Sequence, residues 1–160
     1  MPRKGGQAMI IIGHSAIAYT PFVKISALQE IAHTHQSCIV WFDSAAIKPP
    51  LGFDIAAHCH NNQVPYAVMI RNLEELLLYA ALSPQYLIIA KAAQSKAKAF
   101  QRVIDHYLLD CKLLCVVKLT TQLPKIAQLG IDGAIFKQVL DNIPSPYLHN
   151  SSNIERCPSG

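Results

Sequence analysis

Short apolar runs rich in β-branched residues alternate along this chain with stretches in which apolar positions return every three to four residues. The runs are Met9-Ile-Ile-Ile-Gly13, Cys38-Ile-Val-Trp-Phe42, Tyr66-Ala-Val-Met-Ile70, Tyr86-Leu-Ile-Ile-Ala90, Leu113-Leu-Cys-Val-Val117 and Gly133-Ala-Ile-Phe136. Hydrophobicity that is continuous over strand length marks strands covered on both faces, as in parallel sheets.

Helical spacing fills the intervals. Phe22, Ile25, Leu28 and Ile31 or Ala32 follow Thr20-Pro21, a capping residue with proline at the first helical position, which predicts a helix over 22–33. Asn72, with Glu75 three residues on, opens a helix whose inner face is Leu73, Leu76, Leu77 and Ala80. A longer helix is expected over 92–109 with Ala93, Ala97, Phe100, Ile104 and Tyr107 in phase. Another has Thr120 or Thr121 as its cap, Pro124 in the first turn and Gly130 where a helix end favours a left-handed residue.

Buried strands separated by helices imply right-handed crossovers and an α/β fold. The expected architecture is an open, mainly parallel, doubly wound sheet of the Rossmann or flavodoxin kind with about six strands, and an incomplete (β/α) barrel-like arrangement is the second choice. Residues 9–142 are expected to form one α/β domain, with 1–8 as a leader and the aperiodic, proline-containing 143–160 as a loose tail. The segment 44–64 is long for an α/β connection. With Lys48-Pro-Pro-Leu-Gly52 and a short helical stretch from Phe53 to His60, it reads either as a flap over the sheet edge or as an irregular second crossover.

Composition narrows the function classes. Hydrophobic residues make up 51% and charged ones 15%, which excludes disorder over the body of the chain. The net charge of +4 is spread without a basic run, so nucleic acid is not an expected partner. The longest apolar candidate, Leu76 to Ala90, is interrupted by Ser83, Pro84 and Gln85, so no membrane span is expected. The five cysteines are odd in number, and several sit in or beside hydrophobic runs, the usage of buried free thiols in a reducing, cytoplasmic setting.

Chemistry is sought just past the carboxyl ends of the strands, where open parallel sheets bind ligands. Those positions hold His14 and Ser15, Asp43 and Ser44, Arg71, Lys91, Lys118 and Lys137. Parallel strands put these ends on one edge, where the fields of Arg71, Lys91, Lys118 and Lys137 add and favour a phosphate or carboxylate. The plainer alternative is that charged residues stand there because the chain is meeting water. His14 and Asp43 become a candidate acid/base pair if the first two strands adjoin. His33-Thr34-His35 and His58-Cys59-His60 place their histidines two apart, which diverge on a helix, so no metal site is expected.

No cofactor is expected either. A single glycine, Gly13, follows the first strand where a dinucleotide fold needs several, and neither a P-loop nor a Gly-x-Ser-x-Gly elbow occurs. No motif specifies a reaction. The leading expectation is therefore a protein that takes an anionic small molecule at the strand ends. The alternative is a non-catalytic, self-associating interaction protein. It would use the apolar helix 73–82, where Leu78 and Tyr79 flank the inner stripe and are expected to reach a second subunit.

Overall fold

In the computed structural model, which describes residues 8–34, 37–48 and 50–141, seven strands form one sheet. They are β1 (Ile10–Ile12), β2 (Phe22–Lys24), β3 (Ile39–Asp43), β4 (Tyr66–Ile70), β5 (Tyr86–Ile89), β6 (Lys112–Val117) and β7 (Gly133–Phe136). Every pairing is parallel, in the order β1-β7-β6-β5-β4-β3-β2. From β2 to β7 each strand lies beside its predecessor, and β1 is added beyond β7. This is the winding of a barrel that stays open between β1 and β2. Phe22 of β2 stacks on Tyr86 of β5 at 6.0 Å between ring centroids although two strands separate them in the sheet, so the sheet curls. The open parallel α/β sheet expected from the sequence is present, in its barrel-like form.

The helices are α1 (Leu51–Asn61), α2 (Leu73–Ala80), α3 (Ala97–Tyr107), α4 (Leu123–Gln128) and α5 (Lys137–Asp141), with 3-10 turns at Leu28–His33, Lys91–Lys96 and Thr120–Gln122. Those between strands cover the outer face, while α5 meets both β7 and β2 and lines the cleft at the strand carboxyl ends. Alternation along the strands sends Phe42, Tyr66 and their neighbours outward, where Phe42 meets the Tyr79 ring of α2 at 5.9 Å. Packing at the β1–β7 edge is close: a Cβ on Gly133 would stand 2.4 Å from the Ile10 carbonyl oxygen, so only glycine fits. Asp132, buried before β7, accepts from Gln101 Nε2 of α3 and from the Leu113 N–H, both at 3.0 Å, while Gln101 Oε1 accepts from the Asp132 N–H at 2.9 Å. These bonds tie α3, β6 and β7 together at the end of the sheet away from the strand carboxyl ends.

Several expectations need correction, and one open alternative is settled. The helix predicted over 22–33 is instead β2 followed by a 3-10 turn. Phe22, Val23 and Lys24 pair with Ile39, Val40 and Trp41, and the Ile25 N–H reaches the Trp41 carbonyl at 2.9 Å, so pairing with an available sheet edge overrides helical spacing. This adds the seventh strand. The segment 44–64 holds the regular helix α1, with Ile55, Ala56 and Cys59 buried, and is thus a crossover and not a flap.

On α2 the cap is as expected, Asn72 Oδ1 accepting from the Glu75 N–H at 2.8 Å, but the helix is turned differently about its axis. Leu76 and Tyr79 are the buried residues, while Leu73, Leu77 and Leu78 are 40, 47 and 47% exposed. The Tyr79 ring lies 4.6 Å from that of Phe53 and 5.9 Å from that of Phe42, and this aromatic contact sets which face turns inward.

Cys59, Cys111 and Cys115 are buried free thiols, raised by burial to about 12, 11 and 11. Cys38 is disulfide-bonded, contrary to the expectation of free thiols throughout. Cys157, the expected tail and, except for Ala8, the expected leader lie outside the described residues. Among the described residues no helix is long and apolar enough to cross a membrane.

Candidate functional site: a basic cleft at the strand carboxyl ends

Each buried strand ends where its chain turns toward a helix, and the last inward-facing side chains stand around a cleft of about 370 Å³. β3 supplies Trp41 and Asp43, β4 supplies Met69 and, one residue past its end, Arg71. The turn after β5 gives Ala90, Lys91 and Gln94, β6 gives Val116 and then Lys118, and α5 gives Lys137, Leu140 and Asp141. Arg71, Lys91, Lys118 and Lys137, proposed from separate parts of the sequence, thus line one cavity. They meet because every strand runs the same way and the sheet curls.

Their charges are not equally engaged. Arg71 donates from Nη1 to Asp43 Oδ1 at 2.5 Å and from Nη2 to Asp43 Oδ2 at 3.0 Å, a two-point ion pair with both side chains partly exposed. Burial alone would raise the Asp43 pKa. The Arg71 hydrogen bonds, the Ala45 N–H at 2.9 Å and the charges of Arg71 and Lys24 outweigh it and leave the carboxyl below its ordinary value. Lys137 pairs with Asp141 at 2.7 Å, one helical turn on, in an exposed position. The ammonium groups of Lys91 and Lys118 meet no acceptor among the described residues.

The glutamines at the mouth are held by backbone. Gln94 Nε2 donates to the Val116 carbonyl at 2.6 Å, and Gln122 Oε1 accepts from the Lys118 and Leu119 N–H groups at 2.7 and 2.9 Å. Met69, Ala90, Val116 and Leu140 supply apolar lining between these polar groups.

The expected pairing of His14 with Asp43 is not formed. It required the strands before them to adjoin, but β3 pairs with β2 and β4, whereas β1 pairs with β7. His14 Nδ1 instead accepts from the Ala16 N–H at 3.0 Å, its ring lies 6.2 Å from that of Phe136, and it does not line the cleft. Of the two expected interface residues, Leu78 is exposed, but Tyr79 is buried within the chain and offers nothing to a partner. His58 and His60 project from α1 on either side of buried Cys59, and His35 lies outside the described residues. Among the described residues no group of three or more His, Cys, Asp or Glu side chains stands together to hold a metal ion.

Sequence reasoning missed Lys24, Gln94 and Gln122. Lys24 sits on the strand mistaken for a helix, with Nζ 5.3 Å from the centre of the Trp41 ring and its charge felt at Asp43. Reading Phe22-Val23-Lys24 as alternating inward and outward would have found it. Gln122 was visible as a residue following the Thr120-Thr121 helix start, in the position from which a side chain reaches back to free N–H groups. Gln94 had no signal. No protein-family model matches this chain, and no curated protein matches it in sequence.

Proposed function

We propose that this chain binds a small organic anion, a phosphate or carboxylate compound, in the cleft at the carboxyl ends of its strands. The observation that carries the reading is the convergence of Arg71, Lys91, Lys118 and Lys137 on one cavity of about 370 Å³, with Lys91 and Lys118 lacking any carboxylate partner among the described residues. A cavity of that size, apolar at its lining with a few convergent polar groups, has the form of a small-molecule site. Like charges gathered around one concave surface add their fields there and attract an anion. The reading assigns no reaction. Arg71 is already engaged by Asp43, so Lys91 and Lys118 are the principal anion ligands.

The test is thermal unfolding in phosphate against chloride at equal ionic strength. Occupancy at 100 times the dissociation constant stabilises the folded state by about 2.7 kcal/mol. For a chain of this size that is a rise of roughly 5 to 10 °C. The Lys91→Ala, Lys118→Ala double variant is expected to lose the rise. An equal rise in wild type and variant would overturn the site.

A second reading, self-association, is favoured by one observation: Leu73, Leu77 and Leu78 are together exposed on α2, and such an apolar surface is a common mark of subunit contact. The two readings are compatible, since α2 covers the outer face and the cleft opens at the strand ends. A cytoplasmic setting rests on the buried free thiols of Cys59, Cys111 and Cys115, and the Cys38 disulfide speaks against it. Alkylation of freshly isolated, denatured protein decides: Cys38 labelled before reduction supports that setting, and Cys38 labelled only after reduction overturns it.

A further inference from the structure

Apart from the Lys137–Asp141 ion pair contributed by α5, the polar groups of the cleft fall into two unlike sets. On the β5–β6 side Lys91 and Lys118 present ammonium groups without an acceptor among the described residues. Beside them Gln122 has turned its oxygen to backbone N–H groups, which leaves its amide nitrogen as a donor. Gln94, whose Nε2 is spent on the Val116 carbonyl, adds one acceptor oxygen here, but every charge on this side is positive. A phosphate monoester brings a charge between −1.5 and −2 and three acceptor oxygens, and it matches two ammonium groups better than a singly charged carboxylate.

On the β3–β4 side Asp43 and Arg71 stand together. Asp43 accepts from Arg71 Nη1 and Nη2 and from the Ala45 N–H, three bonds against the roughly four lone-pair sites of a carboxylate. One acceptor site remains, and Arg71 keeps the donors it does not spend on Asp43. A second anionic group would be repelled by Asp43, and an alkyl group would strand both. A hydroxyl group, which donates and accepts, satisfies both, and two adjacent hydroxyls do so with one bond to each residue. Strand register sets Arg71 next to Ala90 and Ala90 next to Val116, since Ile70 pairs with Ile89 and Ile89 with Cys115. Lys91 therefore stands about one strand spacing and Lys118 about two from Arg71, roughly 5 and 10 Å, with apolar Ala90 beside Arg71.

We propose that the ligand is a polyhydroxylated phosphate monoester of the sugar-phosphate class, with its phosphate on Lys91 and Lys118 and a pair of hydroxyls on Asp43 and Arg71. The assignment rests on the anion-binding reading above and adds the second half of the ligand. It gives Asp43, an anion in a basic cleft, a part that a site for simple anions leaves unexplained.

The experiment is calorimetric titration of the full chain with three compounds: inorganic phosphate, ribose 5-phosphate and pentyl phosphate, the last matching the carbon count without hydroxyls. Hydrogen bonds to a charged group contribute about 1.5 to 3 kcal/mol, so ribose 5-phosphate is expected to bind roughly tenfold or more tightly than pentyl phosphate. Asp43→Asn is expected to erase that preference and to strengthen inorganic phosphate, because Arg71 is released from its carboxylate. The Lys91→Ala, Lys118→Ala variant is expected to weaken all three compounds.

Equal affinity for the two esters, or tighter binding of pentyl phosphate, overturns the sugar-phosphate assignment while the anion site stands. No binding of any of the three overturns both. A preference for ribose 5-phosphate that survives Asp43→Asn overturns the role given to Asp43. Should that variant fail to fold by circular dichroism, the wild-type comparison of the two esters decides.

Discussion

At Asp43 two opposing effects act on one carboxyl. Burial disfavours its charge, and hydrogen bonds from Arg71 and Ala45, with the fields of Arg71 and Lys24, favour it more, so the folded-state pKa lies below the ordinary 3.8. A carboxyl lowered on folding contributes stability that is present above its unfolded pKa and is lost as pH falls through the folded value. Acid is therefore expected to weaken the wild type from about pH 5 downward more steeply than it weakens Asp43→Asn, measured by denaturant unfolding over that range. Parallel curves would mean that the ion pair adds nothing to folding.

Asp132 behaves differently, because its role is to satisfy buried partners. Asp132→Ala would leave the buried Leu113 N–H without its acceptor and the Gln101 amide with Asp105 alone, and the expected loss is about 1 to 3 kcal/mol. Asp132→Asn, which keeps one oxygen, is expected to lose less. A loss under about 0.5 kcal/mol for the alanine variant would show that water replaces the carboxylate. The sequence exposed Asp43 as a strand-end residue, but nothing in it joined Asp132 to Gln101, which lies 31 positions away and meets it only through the packing of α3 on the sheet.

At the scale of elements, α2 shows how a correct helix can be read with the wrong face inward. Its cap and length follow from Asn72, Glu75 and the apolar residues between, all local signals. Its rotation does not. Leu73, Leu76, Leu77, Leu78 and Tyr79 are all apolar enough to be buried, so periodicity leaves the choice open, and the Phe42 and Phe53 rings decide it by taking Tyr79. Leu77 and Leu78 are left facing outward.

If they form a subunit contact, Leu77→Glu with Leu78→Glu should dissociate the assembly in sedimentation velocity while the circular dichroism stays native. A wild type that already sediments as a monomer at tens of micromolar would remove the support for self-association. The segment 22–33 failed for a related reason, since Phe22, Ile25, Leu28 and Ile31 suit a helix as well as a short strand followed by a turn. The free edge of β3 settled it, and a strand edge contributed from elsewhere in the chain has no local signature.

At the scale of the whole molecule, the open seam between β1 and β2 makes the β1–β7 contact the sole strand pairing that holds β1 among the described residues. Gly133 sits in that contact against the Ile10 carbonyl oxygen. Gly133→Ala is expected to cost about 1 to 3 kcal/mol by forcing the strands apart, with amide protection in Ile10–Ile12 falling first in hydrogen exchange. Unchanged protection there would mean that the sheet adjusts elsewhere.

The sequence by itself determined β1 and the strands from β3 to β7, the cap of α2, the turn at Gly130 and the basic character of the strand ends, because each depends on residues within a few positions of one another. It also implied that the basic ends share an edge, since parallel direction follows from strands separated by helices. Tertiary structure alone decided which strands adjoin, and with that the separation of His14 from Asp43, the pairing of Asp43 with Arg71 and the curl that closes the ends of β3 to β7 around one cleft. Those outcomes depend on how sheet edges and helix faces far apart in the chain compete for one another. Hydrophobic periodicity shows that a surface must be covered, and packing of the whole chain decides what covers it.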